Sequence, residues 1–174
     1  MTRGEAEPEA ERIARLRRSG ISIDKEGDFI HEGERVRHEG LRRALFGWLD
    51  RSPDADGRYV LRLDPRRFAH VEVEDTPLVV RAARRDADGF HLALSDGAEE
   101  ILDPRTLTVD GLGILRCWVR GGRLEARLST SAATMLADAL ELARPGAAPG
   151  RLEEVVLHAP NGDFLVRQRA PSTA

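Results

Sequence analysis

Residues 114–143 read ILRCWVRGGRLEARLSTSAATMLADALELA, and the change of period inside this stretch sets the fold class. Leu115, Cys117 and Val119 alternate with polar or bulky neighbours, as do Leu124, Ala126 and Leu128, with Gly121-Gly122 between the two runs. A period of two on either side of a glycine pair predicts a β-hairpin. The spacing then shifts to three and four, through Ala132, Met135, Leu136, Ala139, Leu140 and Ala143. That predicts a helix from about Ser131 to Ala143, capped by Ser129, Thr130 or Ser131 and ended by Pro145. Beyond a loose turn, Leu152 to His158 and Phe164 to Val166 flank Asn161-Gly162 and predict two closing strands.

The same order occurs upstream. Asp28-Phe29-Ile30-His31, Glu32-Gly33-Glu34 and Arg35-Val36 read as a short hairpin in which Gly33 can take positive φ. Leu41, Ala44, Leu45, Trp48 and Leu49 form one apolar face of a helix spanning Glu39 to Asp50, with Trp48 in the core. Strand patterns follow at Tyr59 to Leu63, Val71 and Val73, Leu78 to Ala83, and Phe90 to Leu94. Leu78 to Ala83 is apolar enough for a central strand, and Asp86-Ala87-Asp88-Gly89 is the turn after it. The connections are short for parallel crossovers, so the strands are expected to be antiparallel. The expectation is an α+β fold: two related small units of antiparallel strands, each packed with a helix, plus an N-terminal accessory helix over 5–18. The segments are 1–20, 21–95 and 96–174.

Composition bounds the function. The 174 residues are 41% hydrophobic and 33% charged, enough apolar material for a core. A net charge of -3 offers no basic footprint, which makes nucleic acid an unlikely partner. Cys117 is the only cysteine, so no intrachain disulfide forms. The N-terminus, MTRGEAEPEAERIARLRRSG, has no continuous apolar run, and no later run is long enough to span a bilayer. The expected location is cytoplasmic, with no membrane partner.

Several blocks in order carry a family resemblance. They are Asp28-Phe29-Ile30-His31-Glu32-Gly33 followed by Val36 and the Leu41–Leu49 helix; Gly57-Arg58-Tyr59-Val60-Leu61; Val73-Glu74-Asp75-Thr76-Pro77; and Val119-Arg120-Gly121-Gly122 followed by Leu124 and Leu128. From Ile23 to about Ala143 the chain resembles the bacterial family called domain of unknown function 1285. The resemblance implies repeated small units of strands with a helix. It also implies a role in signal transduction or ligand sensing, without an established activity.

Candidate site residues fall into three groups. His31, Arg35, Arg37, His38 and Arg42 make a locally positive stretch that suits a small anionic ligand, because arginine offers a planar bidentate fork. Glu74 and Asp75 are adjacent carboxylates in a string whose Thr76 and Pro77 are typical of a structured turn. Trp118 alternates away from Cys117 and suits packing beneath the neighbouring unit, or the lining of an interface or groove. Cys117 itself sits where a small buried hydrophobe belongs, so no catalytic residue is assigned. The five histidines form no metal-binding spacing, and no glycine-rich phosphate loop is complete, so neither metal nor cofactor is expected.

These readings favour an uncharacterised regulatory or ligand-binding module, with a cleft expected where the two units join. Whether the chain is an enzyme is undecided, with a non-catalytic role favoured. The alternatives are a structural or protein-interaction component, such as a homodimer, and an enzyme acting on a small anionic substrate.

Overall fold

A computed structural model describes residues 18–54, 57–64, 66–142 and 155–169. The chain divides into two compact units, Met1–Asp75 and Thr76–Ala174. The helix expected over residues 5–18 lies outside the described residues, except that Arg18 begins a strand.

The first unit contains β1 (Arg18–Ile23), β2 (Phe29–His31), β3 (Glu34–Arg35), α1 (Glu39–Trp48), β4 (Leu49–Arg51), β5 (Tyr59–Arg62) and β6 (Phe68–Val73). Its six strands lie in the order β3-β2-β1-β6-β5-β4. The β2–β3 hairpin turns on Glu32 (φ 52°) and Gly33 (φ 80°), the left-handed pair that a right-twisted two-residue hairpin requires. The core joins Ile23, Phe29, Leu61 and Val71 to Leu45 and Phe46 of α1, whose ring meets Phe29 edge-on at 4.7 Å.

The second unit contains β7 (Leu78–Arg85), β8 (Phe90–Leu94), β9 (Glu99–Ile101), a single 3-10 turn (Pro104–Thr106), β10 (Thr108–Val109), β11 (Leu115–Val119), β12 (Leu124–Leu128), α2 (Thr130–Ala137), β13 (Leu140–Leu142), β14 (Val155–Ala159) and β15 (Gly162–Gln168). The nine strands lie in the order β13-β14-β15-β10-β11-β12-β7-β8-β9. Leu78, Val79 and Val80 are consecutively buried, as expected of a central strand covered on both faces. Ser129 caps α2 by accepting from the Ala132 N–H (3.2 Å) and ties it to β7 by donating to the Arg81 carbonyl (3.0 Å). Ala132 and Leu136 are the buried side of α2, and Leu136, fully enclosed, contributes roughly 1.5–3 kcal/mol by transfer alone.

The two units are copies of one topology. From β12 to β13 the second sheet runs β12-β11-β10-β15-β14-β13, which repeats the first sheet position for position; β7, β8 and β9 are added beyond β12. Details repeat as well. The Ile23 carbonyl accepts from the Glu74 N–H and the Val109 carbonyl from the Arg169 N–H. Asp24 accepts from the Asp28 N–H through its side chain, as Asp110 does from the Ile114 N–H, with Gly27 (φ 79°) and Gly113 (φ 78°) at the same place in each turn.

Five expectations need correction. The sheets are mixed, because β1 pairs parallel to β6, β10 to β15, and β7 to β12. The chain between each of these pairs carries several further elements, ample for a crossover. The units part between Asp75 and Thr76 instead of at 95/96, since β7 and β8 pair with each other and β7 with β12, inside the second sheet. The first sheet likewise begins at Arg18, inside the segment 1–20 assigned as accessory. Both helices are shorter than expected, because Leu49 pairs with Leu61 and Leu140 with Leu157 as strands. Finally, Trp48 is 37% exposed and Leu41 45%, so the buried face of α1 centres on Leu45 and Phe46.

Candidate functional site

The positive stretch is organised around a carboxylate. Asp28 is 2% exposed and takes the guanidinium of Arg35, together with that of Arg42 at 3.2 Å. A buried carboxylate needs charged hydrogen-bond partners, and these two arginines supply them. Arg35 and Arg42 are therefore brought together, but on an internal anion. His38 is the N-cap of α1, accepting from the Leu41 N–H at its Nδ1 (3.2 Å). Arg37 is exposed, and His31 is exposed at the end of β2.

The Glu74-Asp75-Thr76-Pro77 string is a joint. Glu74 accepts from the Lys25 N–H (3.2 Å), tying the end of β6 to the turn after β1. The Thr76 hydroxyl is buried, donates to the Leu78 carbonyl (2.7 Å) and accepts from the Arg127 N–H (3.2 Å). Asp75 is half-buried. In the second unit Trp118 is half-buried on β11, and its backbone N–H donates to Thr106. Cys117 next to it is buried, and burial, reinforced by Glu100 and Glu125, pushes its thiol up to about 12. Such a thiol stays protonated and poorly nucleophilic. Arg120, at φ 55° in the β11–β12 turn, pairs with Asp96 and Glu100, which closes that hairpin against the β8–β9 turn.

On β13–β15, the imidazole of His158 meets Asp163 at Nδ1 (2.7 Å) and Glu141 at Nε2 (3.2 Å). The Asp163 hydrogen bond chiefly raises its pKa, with Glu141 adding to it. Its two ring nitrogens face different carboxylates, so the trio ties strands together and does not converge on one point. Among the described residues no cluster of three or more His, Cys, Asp or Glu side chains is placed to hold a metal ion. Among them, too, no helix is long and apolar enough to cross a membrane.

A depression of about 210 Å³ lies on the first sheet, lined by Ser19, Gly20, Ile21, Ser22, His70 and Glu72. The local sequence creates it. Gly20, at φ 68°, breaks the regular course of β1, and the register against β6 shifts between Arg18 and Ser22. Ser19 covers the broken ladder: its hydroxyl donates to the His70 carbonyl (2.6 Å) and accepts from the Ile21 N–H (3.1 Å). His70 and Glu72, two residues apart, project from the same side of β6. The His70 Nδ1 is shut off from water and has no hydrogen-bond partner. The His31 Nε2 lies 4.0 Å from where a Cβ on Gly20 would stand.

None of the expected site residues is among those that line this depression. Ser19, Ser22, His70 and Glu72 were missed because the parallel β1–β6 register that assembles them leaves no local signature. A Ser-Gly pair interrupting an isoleucine-rich strand is the one local hint.

No family model matches the chain, and no curated protein matches it. Two solved structures share its fold. A DUF1285 family protein from Silicibacter pomeroyi superposes with a TM-score of 0.65 at 16% identity, covering 86% of this chain and 80% of that one. A DUF1285 family protein from Shewanella baltica gives 0.57 at 18% identity, covering 68% of this chain and 90% of that one. At these identities the likeness is one of architecture.

Proposed function

We propose that this chain is a bacterial member of the DUF1285 family and works as a regulatory module that binds a small molecule, with a place in cytoplasmic signal transduction. The depression on β1 and β6 carries the reading. It is concave, and it combines an apolar wall at Ile21 with the polar side chains of Ser22, His70 and Glu72. The other charged constellations described above already have structural work, in Asp28 with its two arginines and Arg120 with its two carboxylates. The fold shared with two DUF1285 proteins supports the family part of the proposal, as does the order of sequence blocks from Ile23 onward.

Thermal unfolding of the purified chain against a metabolite panel tests the reading. At least one compound is expected to raise the unfolding temperature, and His70→Phe is expected to abolish that rise. A panel that leaves the temperature unmoved throughout counts against ligand sensing.

A second reading, a protein-interaction component, is favoured by Leu41 and Trp48. They lie seven positions apart on one side of α1 and are 45% and 37% exposed. Light scattering across a concentration series expects a dimer that Trp48→Glu disrupts; a monomer at every concentration removes the homodimer.

A further inference from the structure

We infer that the depression between Ser19–Ser22 and His70–Glu72 takes a small cationic ligand, one presenting a primary ammonium or guanidinium. The inference rests on the reading of that depression as a binding site, and adds the ligand's charge and size.

Glu72 sets the charge. Among the described residues it is the one acidic or basic residue besides His70 on the lining, and it is exposed to incoming solutes. Among the described residues its carboxylate is held by no hydrogen bond or ion pair, whereas Asp28, Asp96, Asp110 and Glu125 are each matched to an arginine. An unmatched carboxylate at the lip of a concavity attracts cations and repels anions. A neighbouring group favours a donor too. The Ser22 hydroxyl, on the lining, can accept from such a ligand. An ammonium brings three donors and no acceptor.

The size is limited. At about 210 Å³ the space falls below the roughly 300–1,000 Å³ of sites that enclose drug-sized ligands. A short amine fits; a nucleotide does not.

The duplicated topology sharpens the argument. Ser22 pairs with Glu72 as Thr108 pairs with Arg167, so the second unit carries an arginine where the first carries its free carboxylate. Two residues earlier, Leu165 stands in the place of His70, and the 3-10 turn Pro104–Thr106 replaces the Gly20 irregularity. The same scaffold position has therefore diverged in charge, polarity and backbone course together.

Three probes with one carbon skeleton test the charge: n-butylammonium, 1-butanol and butyrate, titrated into the full 15N-labelled chain. Butylammonium is expected to shift the amides of Gly20, Ile21, Ser22 and Glu72 saturably, with butyrate leaving them in place. Glu72→Gln is expected to weaken that binding at least fivefold, and Glu39→Gln on α1, which faces Arg43, to leave it unchanged. High salt is expected to weaken it as well, because the carboxylate is exposed. If butanol or butyrate shifts the same amides as strongly, or if Glu72→Gln binds butylammonium as the parent does, the cationic assignment is overturned while binding at the depression stands. If none of the probes and no member of the metabolite panel moves these amides, the binding reading itself falls.

Discussion

Replacing Asp28 with asparagine tests whether one buried carboxylate organises the first unit. Asp28→Asn keeps the shape and one acceptor oxygen but removes the charge that faces Arg35 and Arg42. Each charge-assisted hydrogen bond contributes about 1.5–3 kcal/mol when well shielded. Both arginines can turn partly to water, being 55% and 30% exposed at the side chain, so the full loss of a buried pair does not apply. A net cost of about 2 kcal/mol results, which for a unit of this size lowers the urea midpoint by about 1–2 M. Trp48 in the first unit and Trp118 in the second are the chain's two tryptophans. In a Trp118→Phe background, fluorescence therefore reports the first unit alone. A double-mutant cycle with Arg42→Met should return a coupling of about 1 kcal/mol or more. A midpoint within about 0.3 M of the parent, with no coupling to Arg42, would refute the claim that Asp28 ties the β2 hairpin to α1.

Three further outcomes follow from the geometry. Cys117, with its thiol pushed up to about 12 by burial, is expected to resist iodoacetamide at pH 8 in the folded chain and to react as soon as urea unfolds it; rapid labelling of native protein would contradict this. His158 is held above the ordinary histidine value of about 6.5 by Asp163 and then Glu141, so its contribution to stability is full below that value and is lost as pH climbs through the raised one. An NMR titration should show that elevated midpoint and Asp163→Asn should bring it down; a parent midpoint at or below the ordinary value would be inconsistent with the clasp. Ser129→Ala should cost about 1–2 kcal/mol in chemical unfolding, because it removes both the α2 cap and the bond to Arg81; a change under about 0.3 kcal/mol would show that water replaces both.

Much of the local structure is legible in the chain itself. Gly33 and Gly121-Gly122 announce their hairpins because few residues other than glycine accept those dihedral angles. The alternation through Leu115, Cys117 and Val119 places the cysteine in the core, and Leu78–Val80 marks a central strand. The repeat of hairpin, helix and strands correctly signals two related units. What fails is what depends on distant partners. Leu49 and Leu140 continue the helical spacing of the residues before them, yet each becomes a strand because Leu61 and Leu157 offer a ladder. The parallel pairs join strands separated by most of a unit, and periodicity carries no record of them. The unit boundary shifts for the same reason, since β7 follows its partner β12 into the second sheet.

The candidate site shows the same division. Charge patterning picks out Arg35 and Arg42 as a pair but not their partner, because the buried Asp28 reads in the chain like any surface aspartate. His70 and Glu72 resemble the polar half of an ordinary strand. Only the broken β1–β6 register, set by Gly20, turns them into the wall of a depression.

Native mass spectrometry of the chain incubated with a bacterial small-molecule extract addresses the binding claim most directly. The account predicts one bound small amine per chain, present with the parent and lost from a His70→Phe, Glu72→Gln double variant that keeps the parent's fold by circular dichroism. The same adduct retained by the folded double variant, or an adduct that is an anion, would contradict it.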